Sequence, residues 1–288
     1  MTDSKPPRTE EARDFAFYVG IDWASAKHDL CVVDAGGRLV QQQSLEHGTG
    51  TIDDWVGELV RRADGRPVAI ILERAWFFRS LRDDLGCDSY LVWHDEDDLG
   101  GADAVWIPGG FSYGDYLRCG AMAARTRIMG KVRAFAAAGG PVIGVCNGFQ
   151  VLCEAGLLPG ALLLNEAERF VCRTVWLKPE TNRGPWMESA NEVISLPVAH
   201  GEGRYVCDEA TLARLEETRS VAYRYVDPDG RPTPQANPNG SIANIAGVIN
   251  EAGNVLGMMP HPERATRAAL GRTDGRKVLE FLFGARTR

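Results

Sequence analysis

Residues Gly144-Val145-Cys146-Asn147-Gly148 constrain this chain more than any other stretch. They follow the apolar run Pro141 to Val145, which reads as a buried strand, and precede Phe149-Gln150-Val151-Leu152, which opens a helical pattern. A strand that turns through Gly-x-Cys-x-Gly into a helix has the form of a nucleophile elbow. The glycines permit the tight turn, and the central side chain is pushed out over the sheet edge. Its sulfur would face the positive end of the following helix, which favours the thiolate. The same five residues also suit a buried cysteine in an ordinary strand-to-helix turn. The rest of the chain has to decide between the two.

Around this turn, strands and helices alternate. Helical spacing of Phe78, Leu81 and Leu85 leads to strands at Ser89–Trp93 and Ala104–Ile107, then a helix over Ala121–Ala138 that feeds the strand before Cys146. This order predicts an α/β architecture with a doubly wound, mostly parallel sheet. The glycine-rich loop Pro108 to Tyr116 falls at the carboxyl end of a strand, where it can place a second backbone N–H on a developing oxyanion. Further strands are expected at 161–164, 170–177, 193–199, 221–226, 242–249 and 254–259, and a closing helix at 275–283.

A cysteine nucleophile needs a base and a group that orients the base. Of the five histidines, His28 and His47 lie far upstream, and His94 has no orienting pattern. His200 and His261 both follow strands, but only His261 has a carboxylate two residues on, in His261-Pro262-Glu263. Pro262 biases His261 to an extended backbone, in which residues i and i+2 point the same way. Cys146, His261 and Glu263 are therefore the candidate catalytic triad.

Charge and cysteine usage exclude several classes. A net charge of -7 argues against broad binding to nucleic acid, which needs clustered Lys and Arg. Seven cysteines with no Cys-x-x-Cys pair indicate neither a disulfide framework nor a zinc knuckle, so no metal is expected. Residues 1–16 read as a disordered polar leader without the apolar core of a signal peptide, and no stretch reaches membrane-spanning length. A cytoplasmic address follows.

The amino-terminal region has a different pattern. Strand signals at 17–22, 28–34 and 38–45 precede a helix carrying Ile52, Trp55, Val56, Leu59 and Val60, and then the strand Val68–Leu72. This βββαβ order is the opening of a ribonuclease-H-like fold. Val19 to Ser25 with Lys27-His28-Asp29 resembles the amino-terminal part of DEDD-type insertion-sequence transposases, with Glu73 in place of that family's second acidic residue. Only Asp22 and Glu73 match the four carboxylates needed to hold a catalytic metal pair, so residues 17–66 are expected to be a partial unit without nuclease activity.

Five ordered motifs carry a second resemblance: PGGFSYGDYLR at 108–118, GVCNGFQ at 144–150, HGEGRY at 200–205, NPNGSIANIAG at 237–247 and MPHPERA at 259–265. Together they resemble the glutamine amidotransferase subunits of phosphoribosylformylglycinamidine synthase, of the class I (triad) fold. The likeness runs from about Leu91 to the carboxyl terminus and also accounts for Asp95 and Asp98. It implies that Cys146 attacks glutamine, that backbone N–H groups of Gly110 and Asn147 form the oxyanion hole, and that Gln150 contacts the substrate. It implies no cofactor in this chain. Ammonia would pass to a large synthetase subunit that uses ATP and Mg²⁺, with a small adaptor as a further partner. Residues 200–205 and 237–240 would belong to substrate-site or partner-facing loops.

Members of that family begin with a first strand and a Pro-Gly-Ser-Asn-Cys-Asp loop that this chain lacks. Val68–Leu72 and a helix over Trp76–Leu85 are the expected substitutes, which makes 67–288 the amidotransferase domain. Two other readings remain: a different elbow-cysteine hydrolase, or an impaired chimera whose amino-terminal segment binds nucleic acid or is inert.

Overall fold

The computed structural model describes residues 16–23, 27–34, 39–46, 49–64, 66, 68–71, 81, 85–110, 112, 118–181, 183–186, 192–267 and 272–279. The chain divides into two compact units, Met1–Ala75 and Trp76–Arg288.

In the first unit, β1 (Phe17–Trp23), β2 (Lys27–Asp34) and β3 (Leu39–Glu46) form an antiparallel meander. Helix α1 (Thr49–Ala63) then leads to β4 (Val68–Ile71), which pairs parallel with β1 to give the order β3-β2-β1-β4. The buried stripe of α1 is Trp55, Leu59 and Ala63, spaced i, i+4, i+8. Val56 and Val60, expected on the same face, are exposed.

The pairing of β4 overturns one expectation. Val68–Ile71 does not replace a strand of the sheet that carries Cys146, because its backbone groups are taken by the free edge of β1. Residues 67–75 therefore fall with the amino-terminal unit rather than with the amidotransferase region. Glu73, residues 76–80 of the expected substitute helix and residues 1–15 of the leader lie outside the described residues.

The second unit is built on a seven-stranded sheet of order β5-β6-β13-β12-β11-β8-β9. Its strands are β5 (Val105–Ile107), β6 (Val142–Val145), β8 (Val171–Pro179), β9 (Ile194–His200), β11 (Val221–Val226), β12 (Ile245–Ile249) and β13 (Val255–Met258). A separate ribbon pairs β7 (Ala161–Leu163) with β10 (Arg204–Val206). The helices are α2 (Arg127–Ala137), α3 (Asn147–Glu154), α4 (Glu209–Glu217) and α5 (Gly275–Leu279).

The sheet is mixed, not mostly parallel. Only β5, β6 and β13 run parallel, and every other pairing is antiparallel. The reason lies in the connections. Helix α2 gives the crossover that parallel β5 and β6 require, whereas β12 and β13 are joined by a tight turn in which Asn250 N–H donates to Val255 O and Gly253 N–H to Asn250 O.

Two further expectations change. Ser89–Trp93 is irregular, with Tyr90, Leu91 and Trp93 exposed, and the Tyr90 hydroxyl donates to Leu99 O at 2.6 Å. The helix expected over 121–138 is interrupted at Thr126, which has φ -67 and ψ 160 and whose hydroxyl donates to Ala123 O at 2.7 Å. A short-turn 3-10 segment, Ala123–Arg125, precedes that break. Strands β6, β12 and β13 are buried at every residue, so the core lies on the strands that lead into the site. No helix among the described residues is long and apolar enough to cross a membrane.

Candidate active site

The parallel trio β5, β6 and β13 brings three chain segments together at one end of the sheet. Ile107 pairs with Gly144, and Val145 with Met258, so Gly109, Cys146 and His261 follow from neighbouring strand ends. The turn at Cys146 is pinned by its own N–H, which donates to Met258 O at 2.8 Å.

Cys146 has φ 53 and ψ -110, a left-handed conformation costly for any residue with a Cβ. The glycines on either side leave no room for one. A Cβ on Gly144 would lie 2.5 Å from Gly148 O, and a Cβ on Gly148 would lie 2.0 Å from Ile107 O. This is the strained turn expected of an elbow. Cys146 caps α3 and is buried, and its thiol donates weakly to Ala199 O at 3.7 Å.

His261 is extended, with φ -102 and ψ 93, and its N–H donates to Pro197 O at 2.9 Å. The chain does not stay extended to Glu263. Pro262 instead opens a 3-10 turn over Pro262–Arg264, and this turn brings Glu263 Oε1 to 2.6 Å from His261 Nδ1. Both side chains are buried. Burial alone would lower the imidazole pKa, but the Glu263 carboxylate and the Cys146 sulfur outweigh it and push the value up to about 10. His261 Nε2 makes no hydrogen bond of standard geometry among the described residues, although the Cys146 sulfur is near enough to favour its protonation. Gly109 fits against both partners, since a Cβ there would lie 3.0 Å from His261 Cε1 and 3.5 Å from Cys146 Cβ.

The loop after β5 is tied to the turn at Cys146 by side chains. Asn147 Oδ1 accepts from Ser112 N–H at 3.2 Å, and Asn147 Nδ2 donates to Gln150 Oε1 at 2.8 Å. Gln150 Nε2 in turn donates to Glu202 O at 2.7 Å. Gly110 has φ 138, which favours glycine, and nothing within 4 Å of where its Cβ would stand. Phe111 and Tyr113–Leu117 lie outside the described residues.

The profile of the CobB/CobQ-like glutamine amidotransferase domain matches residues 89–275. The chain is 61% identical over 197 residues to the phosphoribosylformylglycinamidine synthase subunit PurQ of Gloeobacter violaceus, covering 68% of this chain and 85% of that one. The chain belongs to the PurQ family of glutamine amidotransferases. The Methanosarcina acetivorans PurQ is 54% identical over 204 residues, covering 70% of this chain and 88% of its own. The solved structure of PurLQS from Thermotoga maritima matches with a TM-score of 0.62 and 40% identity, over 73% of this chain and 92% of that one.

Part of this PurQ-type site carries no sequence signal of its own. Asn165, 1% exposed, clamps residues 200–203: its Nδ2 donates to His200 O at 2.9 Å and to Arg169 O at 2.8 Å, and its Oδ1 accepts from Gly203 N–H at 3.0 Å. Asn239 Nδ2 adds a bond to Gly203 O at 2.8 Å, and Ser241 Oγ accepts from Tyr205 N–H at 3.0 Å. The motifs at 200–205 and 237–241 are thus two halves of one buried polar assembly. A pattern of buried Asn is invisible in one sequence because Asn most often marks exposed turns. Asp98 Oδ1 accepts from Gly100 N–H in an exposed turn, and Asp22, one of the two acidic residues that match the transposase pattern, lies on β1 opposite Asp29. No group of three or more His, Cys, Asp or Glu side chains able to hold a metal occurs among the described residues.

Proposed function

We propose that Cys146, His261 and Glu263 perform the glutaminase chemistry of this PurQ-family subunit. The chain hydrolyses glutamine to glutamate and ammonia and supplies the ammonia to a synthetase partner in purine biosynthesis. The observation that carries the residue roles is the convergence at Gly109, where an added Cβ would meet the His261 ring at 3.0 Å and the Cys146 Cβ at 3.5 Å. The Cys146 thiolate adds to the carboxamide carbon of glutamine, and the oxygen that becomes negative is received by the N–H groups of Gly110 and Asn147. The His261 imidazolium gives its proton to the departing nitrogen, which leaves as ammonia, and the C–N bond breaks as the thioester forms. Water then loses a proton to His261 and adds to the thioester, and collapse of the adduct expels the Cys146 thiolate, releases glutamate, whose acid proton passes to ammonia or solvent, and restores the thiolate–imidazolium pair. Glu263 holds the ring orientation throughout. Gln150 keeps one N–H and one lone pair beyond its bonds to Asn147 and Glu202, enough for a substrate contact.

The partners are a PurL-type synthetase and a PurS-type adaptor, as in the PurLQS assembly. ATP and Mg²⁺ chemistry belongs to the synthetase, and a cytoplasmic site of action fits that assembly. In the complex, Cys146→Ala should abolish synthesis driven by glutamine and leave synthesis driven by added ammonium salt intact. Loss of both, or of neither, sinks the assignment.

The order β3-β2-β1-β4, with one parallel pair after an antiparallel meander, supports the ribonuclease-H-like reading of residues 17–71. Duplex-DNA binding by the full chain would test whether that unit does more than decorate the subunit. With its net charge of -7, the expected result is no salt-sensitive binding in the micromolar range.

A further inference from the structure

The four hydrogen-bonding contacts of the Asn165 side chain settle the state of a second histidine. Both Asn165 Nδ2 bonds go to carbonyl oxygens, Arg169 O and His200 O, so the amide orientation is fixed. Its Oδ1 therefore faces His200 Nδ1 at 3.1 Å as an acceptor, and Nδ1 must carry the hydrogen. Burial and the charge of nearby His261 keep this ring neutral. Nε2 of His200 is then a bare acceptor, and it has no hydrogen-bond partner among the described residues although His200 is only 3% exposed.

A buried acceptor without a donor is costly, and in native proteins such atoms mark a function or a bound group. The surroundings point to the group. The carbonyl of the preceding residue, Ala199, is the acceptor of the Cys146 thiol, and the carbonyl of Glu202 holds Gln150. Gly203 is packed so closely on the ring that its Cβ would lie 2.4 Å from His200 Nδ1 and Cε1, which fixes the ring as firmly as the hydrogen bonds do. His261, the only other imidazole in this unit that is buried at the site, is already committed to Glu263. We propose that His200 Nε2 accepts a hydrogen bond from an N–H of the bound glutamine, with Asn165 as the residue that presents it. The donor is either the α-ammonium or the carboxamide NH₂. The proposal rests on the glutaminase reading of Cys146.

The informative variant is His200→Asn, because the shorter amide can still donate to Asn165 Oδ1 while the Nε2 acceptor is removed. In the assembled synthase the KM for glutamine should rise about tenfold, the loss expected for one good hydrogen bond, with kcat changed less than about twofold. Ammonia-driven synthesis should stay at the wild-type level, which checks folding and assembly. The donor is distinguished with 6-diazo-5-oxo-L-norleucine, which alkylates the nucleophile with loss of dinitrogen and keeps the α-ammonium but has no carboxamide NH₂. If its half-saturating concentration rises with the glutamine KM, the α-ammonium is the donor; if it stays constant while KM rises, the carboxamide is. An unchanged KM, or a fall in kcat alone, overturns the proposal. Should His200→Asn lose ammonia-driven synthesis as well, His200→Gln is read instead. It places an acceptor near the Nε2 position and should keep KM within about threefold of wild type, and a rise equal to or beyond tenfold counts against the idea. Failure of the diazo reagent to modify Cys146 in the wild-type complex would instead remove the catalytic reading itself.

Discussion

Nδ1 of His261 lies 2.6 Å from Oε1 of Glu263, across a turn that a single proline separates from the extended backbone of the histidine. Glu263 thus supplies both the ring's orientation and the largest of the contributions that raise its pKa against the opposing effect of burial. Replacing the carboxylate by an amide keeps the shape and removes the charge. In Glu263→Gln the imidazolium should lose its proton at lower pH, so the basic limb of the kcat/KM profile moves down from the region near 10. At neutral pH, kcat should fall by about 10²-fold or more, in line with general acid–base contributions. A pH profile of glutamine-driven synthesis checks both, and an unmoved basic limb would remove Glu263 from this role.

A Cβ at Gly148 would stand 2.0 Å from the carbonyl oxygen of Ile107, and there is only backbone to give way. Gly148→Ala should therefore destabilise the second unit by about 3 kcal/mol, at the upper end for overpacking. Gly110→Ala meets no neighbour within 4 Å and pays only for its φ of 138, about 1 kcal/mol. Denaturant titration of the two variants should rank Gly148 well above Gly110. The reverse order would mean that the loop at 108–112 is not held as described.

The contrast between these glycines shows what one sequence can disclose. The elbow was legible because a strand, two glycines and a helix adjoin within ten residues, and the His261-Pro262-Glu263 triplet was legible because its members are neighbours in the chain. The sheet was misjudged where local signals do not encode pairing. Val68–Ile71 is as suitable for the edge of β1 as for a strand of the sheet that carries Cys146, and only the long-range register decides. Ser89–Trp93 has strand composition but lies in an irregular segment, and Tyr90, Leu91 and Trp93 stay exposed. The mixed strand directions follow in part from the turn at Asn250–Asn254, which returns β13 antiparallel beside β12.

Asn165 should matter more than its place in an unremarked loop suggests. Its side chain serves Gly203 N–H, the His200 ring and two carbonyls, all buried or half-buried. Asn165→Ala leaves at least two donors without an acceptor, at about 1–3 kcal/mol each. A loss of 2 kcal/mol or more in denaturant titration is expected, with a raised KM for glutamine because residues 200–203 are no longer fixed. Asn165→Ala with wild-type stability and KM would show that Asn239 and Ser241 hold the assembly alone.

His200 should also give the fold an acid limit. Burial, and then the charge of His261, lower its pKa from about 6.5 to about 4. Between those values the unfolded chain binds a proton that the folded chain refuses, so stability rises with pH across the window and is lost as pH falls from about 6.5 to about 4. The loss is about 3 kcal/mol at most. His261 adds no slope there, because its raised value leaves it protonated in both states below 6.5, and its own stabilisation fades only as pH rises toward 10. Denaturation midpoints measured from pH 7 to pH 4 should therefore fall less steeply for His200→Asn than for wild type, even if the variant starts lower at pH 7. Parallel curves would mean that His200 is already charged in the fold, and a charged ring could not offer Nε2 as an acceptor.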